Sequence, residues 1–286
     1  MAIIMNGRQL ADQLQDKLAT EVNNWRAKGL RLPTLAVILV GDDPASHVYV
    51  KNKEKAVAKI GFHSIVKRLP KETTEAELLE QVQTYNLDQA IDGILVQLPL
   101  PEHIDEEKVL LAIDAKKDVD GFHPLNMGKL FIGKPDKIAC TPYGIITLLK
   151  AYDIKIEGKQ VVVVGRSNIV GKPMAQLMLM EHGTVTLTHS RTKNLQELTQ
   201  TADILVVAIG RGELITADYV KPGAIVIDVG MNRNESGKLV GDVDFASVEP
   251  VASFITPVPG GVGPMTITML MEQTMANGRL AHLEGE

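Results

Sequence analysis

"VVVVGRSNIVGKP", residues 161–173, runs four valines into a turn carrying two glycines and two basic side chains. A continuous β-branched run suits a strand buried on both faces, as parallel sheets require. The turn is not a Walker loop. Five residues separate Gly165 from Gly171, one more than that motif allows, and Pro173 follows Lys172 where a magnesium-binding hydroxyl is needed. It is not the G-x-G-x-x-G dinucleotide fingerprint either, so what it holds depends on its surroundings.

Similar runs recur on both sides. "TLAVILVG" (34–41), "DGILVQLP" (92–99), "TVTLTH" (184–189), "DILVVAIG" (203–210) and "AIVIDVG" (224–230) are nearly continuous and end in Gly, Pro or a polar residue. Between the runs lie helix-like segments at 44–60, 74–86, 172–182 and 194–201. Strand alternating with helix predicts a doubly wound α/β fold with a mainly parallel sheet. Residues 120–140 are rich in Gly, Pro and Asp without a sustained period, which reads as a linker or long loop and places the domain break there. "CTPYGIITLLKAY" (140–152) then predicts a helix with Thr141 as candidate cap and Pro142 in its first turn. "GPMTITMLMEQTMANGRLAH" (263–282) reads as an amphipathic helix whose methionines fill a core.

Bulk properties exclude several classes. A chain of 286 residues accommodates one large or two ordinary domains, and 45% hydrophobic with 23% charged residues is a globular composition. A net charge of -5 argues against a nucleic-acid surface. The single cysteine, Cys140, can make neither an internal disulfide nor a metal site alone, which fits a reducing compartment. The N-terminal apolar run is too short for a signal peptide, and no stretch approaches the ~20 apolar residues of a membrane span. The histidines lack zinc spacing, and no G-x-S-x-G elbow occurs. The expectation is a cytoplasmic protein without metal, nucleic-acid or membrane partners.

Residues 160–209 fit a strand–helix–strand–helix–strand unit, so the Gly165 turn opens at a strand's carboxyl end and a helix N-terminus. Free N–H groups and the helix dipole attract anions there. NAD-binding folds place an Asp or Glu near the end of the second strand to accept the ribose hydroxyl. Here that strand ends in His189, Ser190, Arg191 and Thr192, with no acid. Arg191 and Ser190 suit a ribose phosphate, and Arg166 adds a second charge, so the expected cofactor is NADP. The other reading is a tight structural turn flanked by exposed arginines.

The helix expected at 44–60 carries one lysine on an unexpected side. Lys51, Lys55 and Lys59 share one face, whereas Lys53 points about 200° from its two nearest lysines and joins Tyr49, Ala56, Val57 and Ile60. An ammonium on that stripe is either snorkelling or working, and desolvation would lower its pKa into a useful range for proton transfer. Tyr49 reads equally as a core aromatic with a wet hydroxyl. Gln97 ends a buried strand, where ligand crevices of open α/β sheets lie. Asp120, in "KKDVDGFHP" (116–124), is either a pocket carboxylate or a turn former; the calcium-loop pattern is incomplete. "TPVPGGVGPMT" (256–266) is a stiff loop at a helix mouth, suited to backbone contact with a ligand or to an elaborate helix start.

These segments occur together in an order that resembles one family. "SHVYVKNKEKA", "GILVQLPLP", "KDVDGFHPLNMGKL", "CTPYG", "VVVVGRSNIVGKP" and "ITPVPGGVGPMT" are similar, in sequence and spacing, to the bifunctional methylenetetrahydrofolate dehydrogenases/methenyltetrahydrofolate cyclohydrolases. The likeness runs from Asn6 to the final helix and is to the short bacterial type, without a fused formate-activating synthetase. It implies a folate-binding catalytic domain over 1–121 and a Rossmann-like NADP domain over 122–286, facing across a cleft. The final helix, about 264–283, is expected to pack back on the first domain. The family's Y-x-x-x-K pair falls on Tyr49 and Lys53, its strand glutamine on Gln97 and its D-G aspartate on Asp120. Pro257, Gly260 and Gly261 fall on the substrate-side loop. Gly165, Arg166, Ser167, Ser190 and Met231 fall on cofactor contacts, with Arg191 beside them. Ala139 and Met231 depart from the commoner residues at their positions without touching a proposed chemical group. The implied activity is NADP-dependent oxidation of 5,10-methylenetetrahydrofolate, then hydrolysis to 10-formyltetrahydrofolate, in a homodimer. Two rivals are a monofunctional NAD-dependent dehydrogenase, separable by comparing cofactors, and a non-catalytic nucleotide-binding α/β protein, separable by turnover.

Overall fold

A computed structural model describes residues 1–284. In chain order it begins with β1 (Ile3–Ile4), α1 (Gly7–Ala27), β2 (Thr34–Val40), α2 (Pro44–Ile60), β3 (His63–Leu69), α3 (Glu75–Leu87) and β4 (Gly93–Val96). There follow α4 (Glu106–Ala112), α5 (Pro124–Phe131), α6 (Cys140–Ala151), β5 (Gln160–Val164), α7 (Gly171–Met180), β6 (Thr184–Thr188) and α8 (Leu195–Thr199). The chain ends with β7 (Ile204–Val207), β8 (Ile225–Asp228), β9 (Asn232–Arg233), β10 (Leu239–Val240), α9 (Phe245–Val248), β11 (Phe254–Ile255) and α10 (Val262–Glu284). No helix among the described residues is long and apolar enough to cross a membrane.

The chain forms two compact units. One comprises Asp12–Ile138 with Ile267 onward; the other comprises Met1–Ala11 with Ala139–Thr266. The break thus falls at 138/139, where sequence had suggested 121/122, and the first eleven residues join the later unit because β1 pairs with β11. Residues 120–140 are not a plain linker. They contain α5, started by His123, whose ring Nδ1 accepts from Leu125 N, with Pro124 in the first turn. Nor does Thr141 cap α6: the N-cap is Ala139 without a side-chain bond, and the Thr141 hydroxyl pairs with that of Thr266 at 3.0 Å.

In the first unit β2 lies between β3 and β4, all parallel. All seven side chains of β2 are buried, as a central strand covered on both faces demands. One face packs Ala36, Ile38 and Val40 with Ile94, Val96, Leu78, Val82 and Val109; each such aliphatic contributes about 1.5–3 kcal/mol when fully buried. Because β3 and β4 flank β2 on opposite sides, a crevice opens at the carboxyl ends of β2 and β4. The helices have explicit starts. Asp43 caps α2 by accepting from Ser46 N with Pro44 at the first position, and Thr74 with Glu77 makes a capping box on α3. Lys117 closes the far end of α3, its Nζ donating to the carbonyls of Tyr85, Asn86 and Asp88.

The second unit holds a six-stranded parallel sheet in the order β1-β11-β8-β7-β5-β6, plus the antiparallel hairpin β9-β10. The chain passes from β5 through α7 to β6, then returns to β7 on the other side of β5. A second crevice therefore opens at the carboxyl ends of β5 and β7, where Gly165 and Ala208 lie. Of the methionines expected to fill a core, Met265, Met269, Met271 and Met275 are buried along α10.

Gln273 on α10 secures the backbone next to Asp120. Its Nε2 donates to Val119 O (2.7 Å) and Ile138 O (2.9 Å), and its Oε1 accepts from Ile138 N (2.8 Å). Gln273→Leu keeps the volume and leaves these buried groups unpaired, so it lowers stability by about 2–4 kcal/mol. Urea unfolding measures this, and an unchanged midpoint would show that the clamp adds nothing.

Candidate functional site

Two side chains meet over the β2–β4 crevice. Along α2 the buried residues Ser46, Val50, Ala56, Val57 and Ile60 form one stripe, and Tyr49 and Lys53 lie half-buried on it. The Lys53 Nζ donates to Gln97 Oε1 at 3.0 Å. Gln97 follows β4, donates its backbone N–H to Ile38 O (2.8 Å), and is 9% exposed. Its Nε2 donates to Leu98 O at 2.6 Å, which turns Oε1 toward the lysine. Gln97 thus directs the amine through a neutral acceptor, and the Asp120 carboxyl interacts with it electrostatically. An amine directed in this way is placed for proton transfer.

Asp120 sits beside this pair, in a turn built by another residue. Asp118, 3% exposed, accepts from Gly121 N (3.0 Å), His123 N (2.8 Å) and Asn126 Nδ2 (2.8 Å). Gly121 has φ 78°, the left-handed region that favours glycine. The turn-forming role considered for Asp120 therefore belongs to Asp118, and the Asp120 carboxylate is left for other work. Although the residue is half-buried by surface, its carboxyl group lies deep. Burial pushes it up to about 6, the Asp118 charge adds to the rise, and Lys53 opposes it.

The second constellation lies at the carboxyl ends of β5 and β6, which pair in register at Val164–Thr188. Gly165, at φ 122°, donates its N–H to Thr188 O (3.0 Å), joining the two strand ends. A Cβ on Gly165 would lie 2.0 Å from Ala208 O, and one on Gly171 would lie 2.0 Å from Gly165 O. Only glycine fits either position. Arg166 and Ser167 follow exposed; Ser190 and Arg191 lie exposed beyond β6. The His189 Nδ1 accepts from Arg191 N (3.1 Å), which fixes the backbone of that second turn. A narrow glycine turn, adjacent arginines and no acid at the end of β6 fit a phosphorylated dinucleotide.

One expectation needs correction. The amides at the start of α7 are not free: Val170 N and Gly171 N donate to Ser167 Oγ at 3.2 and 3.3 Å, and Lys172 N donates to Ser167 O. Pro173 has no N–H. What the turn offers an anion is the helix dipole and the exposed Arg166 and Arg191 side chains, not these amides.

Met231, 45% exposed, follows β8 in the same unit, its Cε 3.7 Å from where a Cβ of Gly263 would be. The 256–261 loop is tightly built. Gly261 N donates to Pro257 O (2.8 Å), Gly260 O accepts from Arg8 N (2.9 Å), and Gly7 leaves 1.9 Å between its would-be Cβ and Gly261 O. Asp118, Asn126 and Asp242, which hold loops next to the candidate residues, lay outside the sequence-based expectations. For Asp118 a signal existed, an Asp three residues before a glycine; for Asp242 there was none nearby.

Comparison with known proteins gives consistent likenesses. Residues 5–120 match the family profile described as the tetrahydrofolate dehydrogenase/cyclohydrolase catalytic domain, and residues 139–281 match its NAD(P)-binding domain. The chain is 62% identical over 275 residues to the bifunctional protein FolD of Enterococcus faecalis, covering 96% of this chain and 98% of that one. The Campylobacter jejuni bifunctional FolD crystal structure superposes with TM-score 0.96 at 48% identity, covering 98% and 99% of the two chains. The Trypanosoma brucei methylenetetrahydrofolate dehydrogenase-cyclohydrolase, complexed with NADP cofactor and inhibitor, gives 0.93 at 38% identity, with 98% of each chain covered.

The raised Asp120 carboxyl has a stability consequence. Folded, it titrates near 6; unfolded, near about 3.9. Ionised Asp120 therefore opposes folding, not at all below about pH 4 and fully above about pH 7. Asp120→Asn should raise the Tm at pH 8 and leave it unchanged at pH 4. Thermal scans at the two values check this, and an equal rise at both would refute it.

Proposed function

Because the chain belongs to the tetrahydrofolate dehydrogenase/cyclohydrolase family, we propose that it oxidises 5,10-methylenetetrahydrofolate with NADP. It then hydrolyses the 5,10-methenyl product to 10-formyltetrahydrofolate. The observation that carries the assignment to residues is the 3.0 Å contact between Lys53 Nζ and Gln97 Oε1, beside the deep carboxylate of Asp120.

Bound NADP supplies the hydride acceptor. Gly165, Arg166 and Ser167 receive its phosphates, Ser190 and Arg191 its ribose phosphate, and Met231 the nicotinamide side. Hydride loss from the methylene bridge leaves a cation shared by two folate nitrogens, whose lone pairs stabilise it. That step needs positioning more than acid–base help. Tyr49 stacks on the folate and Asp120, ionised, accepts the pterin ring's N–H groups. Pro257, Gly260 and Gly261 offer backbone contact on the substrate side.

Hydrolysis makes a different demand. Water attacks the methenyl carbon and loses a proton. The bond from that carbon to N5 then breaks, N5 takes up a proton and the carbinol oxygen loses one, leaving the formyl group on N10. Lys53 is the base or proton relay, and Gln97 holds its nitrogen in place. One substrate site then serves both reactions. Folate work is assigned to the unit holding residues 12–138 and cofactor work to that holding 139–266. A homodimer in the cytoplasm completes the reading, and the lone buried Cys140 suits such a reducing setting.

Three measurements test these assignments. Lys53→Met should lower cyclohydrolase turnover by about 10²- to 10⁴-fold while folate and NADP binding remain measurable; undiminished formyl-product formation would refute the lysine's role. Arg191→Ala should raise the KM for NADP about ten- to a hundredfold and hardly move that for NAD. Equal shifts would show that Arg191 does not read the ribose phosphate. Finally, kcat/KM for methylenetetrahydrofolate should fall as pH drops below about 6, where Asp120 takes up its proton. In Asp120→Asn that limb should vanish.

A further inference from the structure

Two fully buried carboxylates stand behind the proposed cofactor edge. Asp242 is 0% exposed and Asp228, at the end of β8, 3%. The Asp242 Oδ2 accepts from Ile209 N (2.7 Å) and Gly210 N (3.0 Å), and its Oδ1 from Arg211 N (2.9 Å) and Asn232 Nδ2 (2.9 Å). Asp228 in turn accepts from Asp242 N (2.9 Å), Val243 N (3.1 Å) and Gly230 N (2.9 Å). One carboxylate thus grips the loop after β7 and, through Asn232, the loop after β8. The other holds the backbone that carries the first.

Glycines permit this approach. A Cβ on Gly230 would lie 2.4 Å from Asp242 Oδ1, and one on Gly241 would lie 1.7 Å from Asp228 Oδ2. Backbone bonds continue the fastening, from Glu213 N to Gly241 O (2.9 Å) and from Ile215 N to Asp242 O (3.0 Å). Stability alone does not call for such a pair. Buried charge is costly even when hydrogen-bonded, and well-packed apolar side chains often serve as well or better. Burial pushes the Asp228 carboxyl up to about 7 despite its three N–H donors. What apolar residues cannot do is fix three consecutive amides in one loop and a side chain in the next. Both loops leave the sheet at its carboxyl edge: Ile209 follows Ala208, which abuts Gly165, and Asn232 follows Met231.

We propose that Asp242, with its backbone anchored by Asp228, is a positioning residue for the bound dinucleotide, setting the Ile209–Arg211 backbone and, through Asn232, the Gly230–Met231 segment. The inference rests on reading that edge as the NADP site. The test uses the whole protein, NADPH fluorescence titration and nucleotide-free hydrolysis of methenyltetrahydrofolate, with amide exchange as a structural gauge. Asp242→Asn should weaken NADPH binding about tenfold or more, and Asn232→Ala, which removes one donor and leaves both carboxylates, about threefold. Hydrolysis should stay within about twofold of wild type in both, since a general loss of fold would lower it too. The amides of Ile209, Gly210 and Arg211 should exchange faster while those of Val162–Val164 remain protected. NADPH affinity unmoved in variants with freed loop amides would overturn the proposal, as would hydrolysis falling in step with binding. A wild-type protein that binds no NADPH would overturn the cofactor reading and this proposal together; wild-type binding with unmoved variants would overturn this proposal alone.

Discussion

A strand at the middle of a parallel sheet has neighbours that the chain must reach in opposite directions, and the divergence opens a gap at the carboxyl ends. Both units are organised by this constraint. In one, β2 lies between β3 and β4, and Gln97 leaves the sheet where the gap falls. In the other, β5 lies between β6 and β7, and Gly165 leaves the sheet at the equivalent place. In the central strands β2, β5 and β7 the backbone groups are used up in ladders on both sides, and nearly all side chains are in core. Gln97 and Gly165, two of the residues assigned to folate and cofactor, leave the sheets at these two gaps.

Those edges are shaped by buried acids more than by cations. Asp118 and Asp242 each collect amide or side-chain N–H groups from a neighbouring loop, and Asp228 holds the segment that carries Asp242. A carboxylate offers two oxygens with several acceptor directions, so one residue can fix a whole turn. The consequence is a division of labour within "DVDG": Asp118 builds, and Asp120, pushed up by burial, remains available for a ligand. Lys53 in turn is directed by the uncharged Gln97, with the Asp120 carboxyl acting on it electrostatically.

Much of this architecture was legible in the residues. Asp43-Pro44 and Thr74-x-x-Glu77 mark the starts of α2 and α3, and four valines mark β5, because these signals are local. The odd angle of Lys53 on α2 was also legible, since 3.6 residues per turn decides which side chains share a face. Other elements were hidden for physical reasons. β3, "HSIVKRL", is an edge strand with a mostly exposed pattern, so no continuous apolar run announces it. β1 and β11 are two residues each and pair across nearly the whole chain. α5 begins with a histidine cap and Pro124 inside a stretch dominated by turn residues. Asp242 takes its meaning from amides about thirty positions earlier, and no periodicity encodes such a partner.

The Ser167 turn has one further implication. Its hydroxyl and carbonyl already engage the amides of Val170, Gly171 and Lys172, and the Gly165 and Gly171 backbones lie against neighbouring backbone with no room for a Cβ. The loop is therefore ordered by folding, before any nucleotide arrives, and the conformational entropy of that ordering does not fall on association. A preorganised turn of this kind gives up some amides as ligand donors. In exchange, more of each contact with an incoming phosphate appears as affinity.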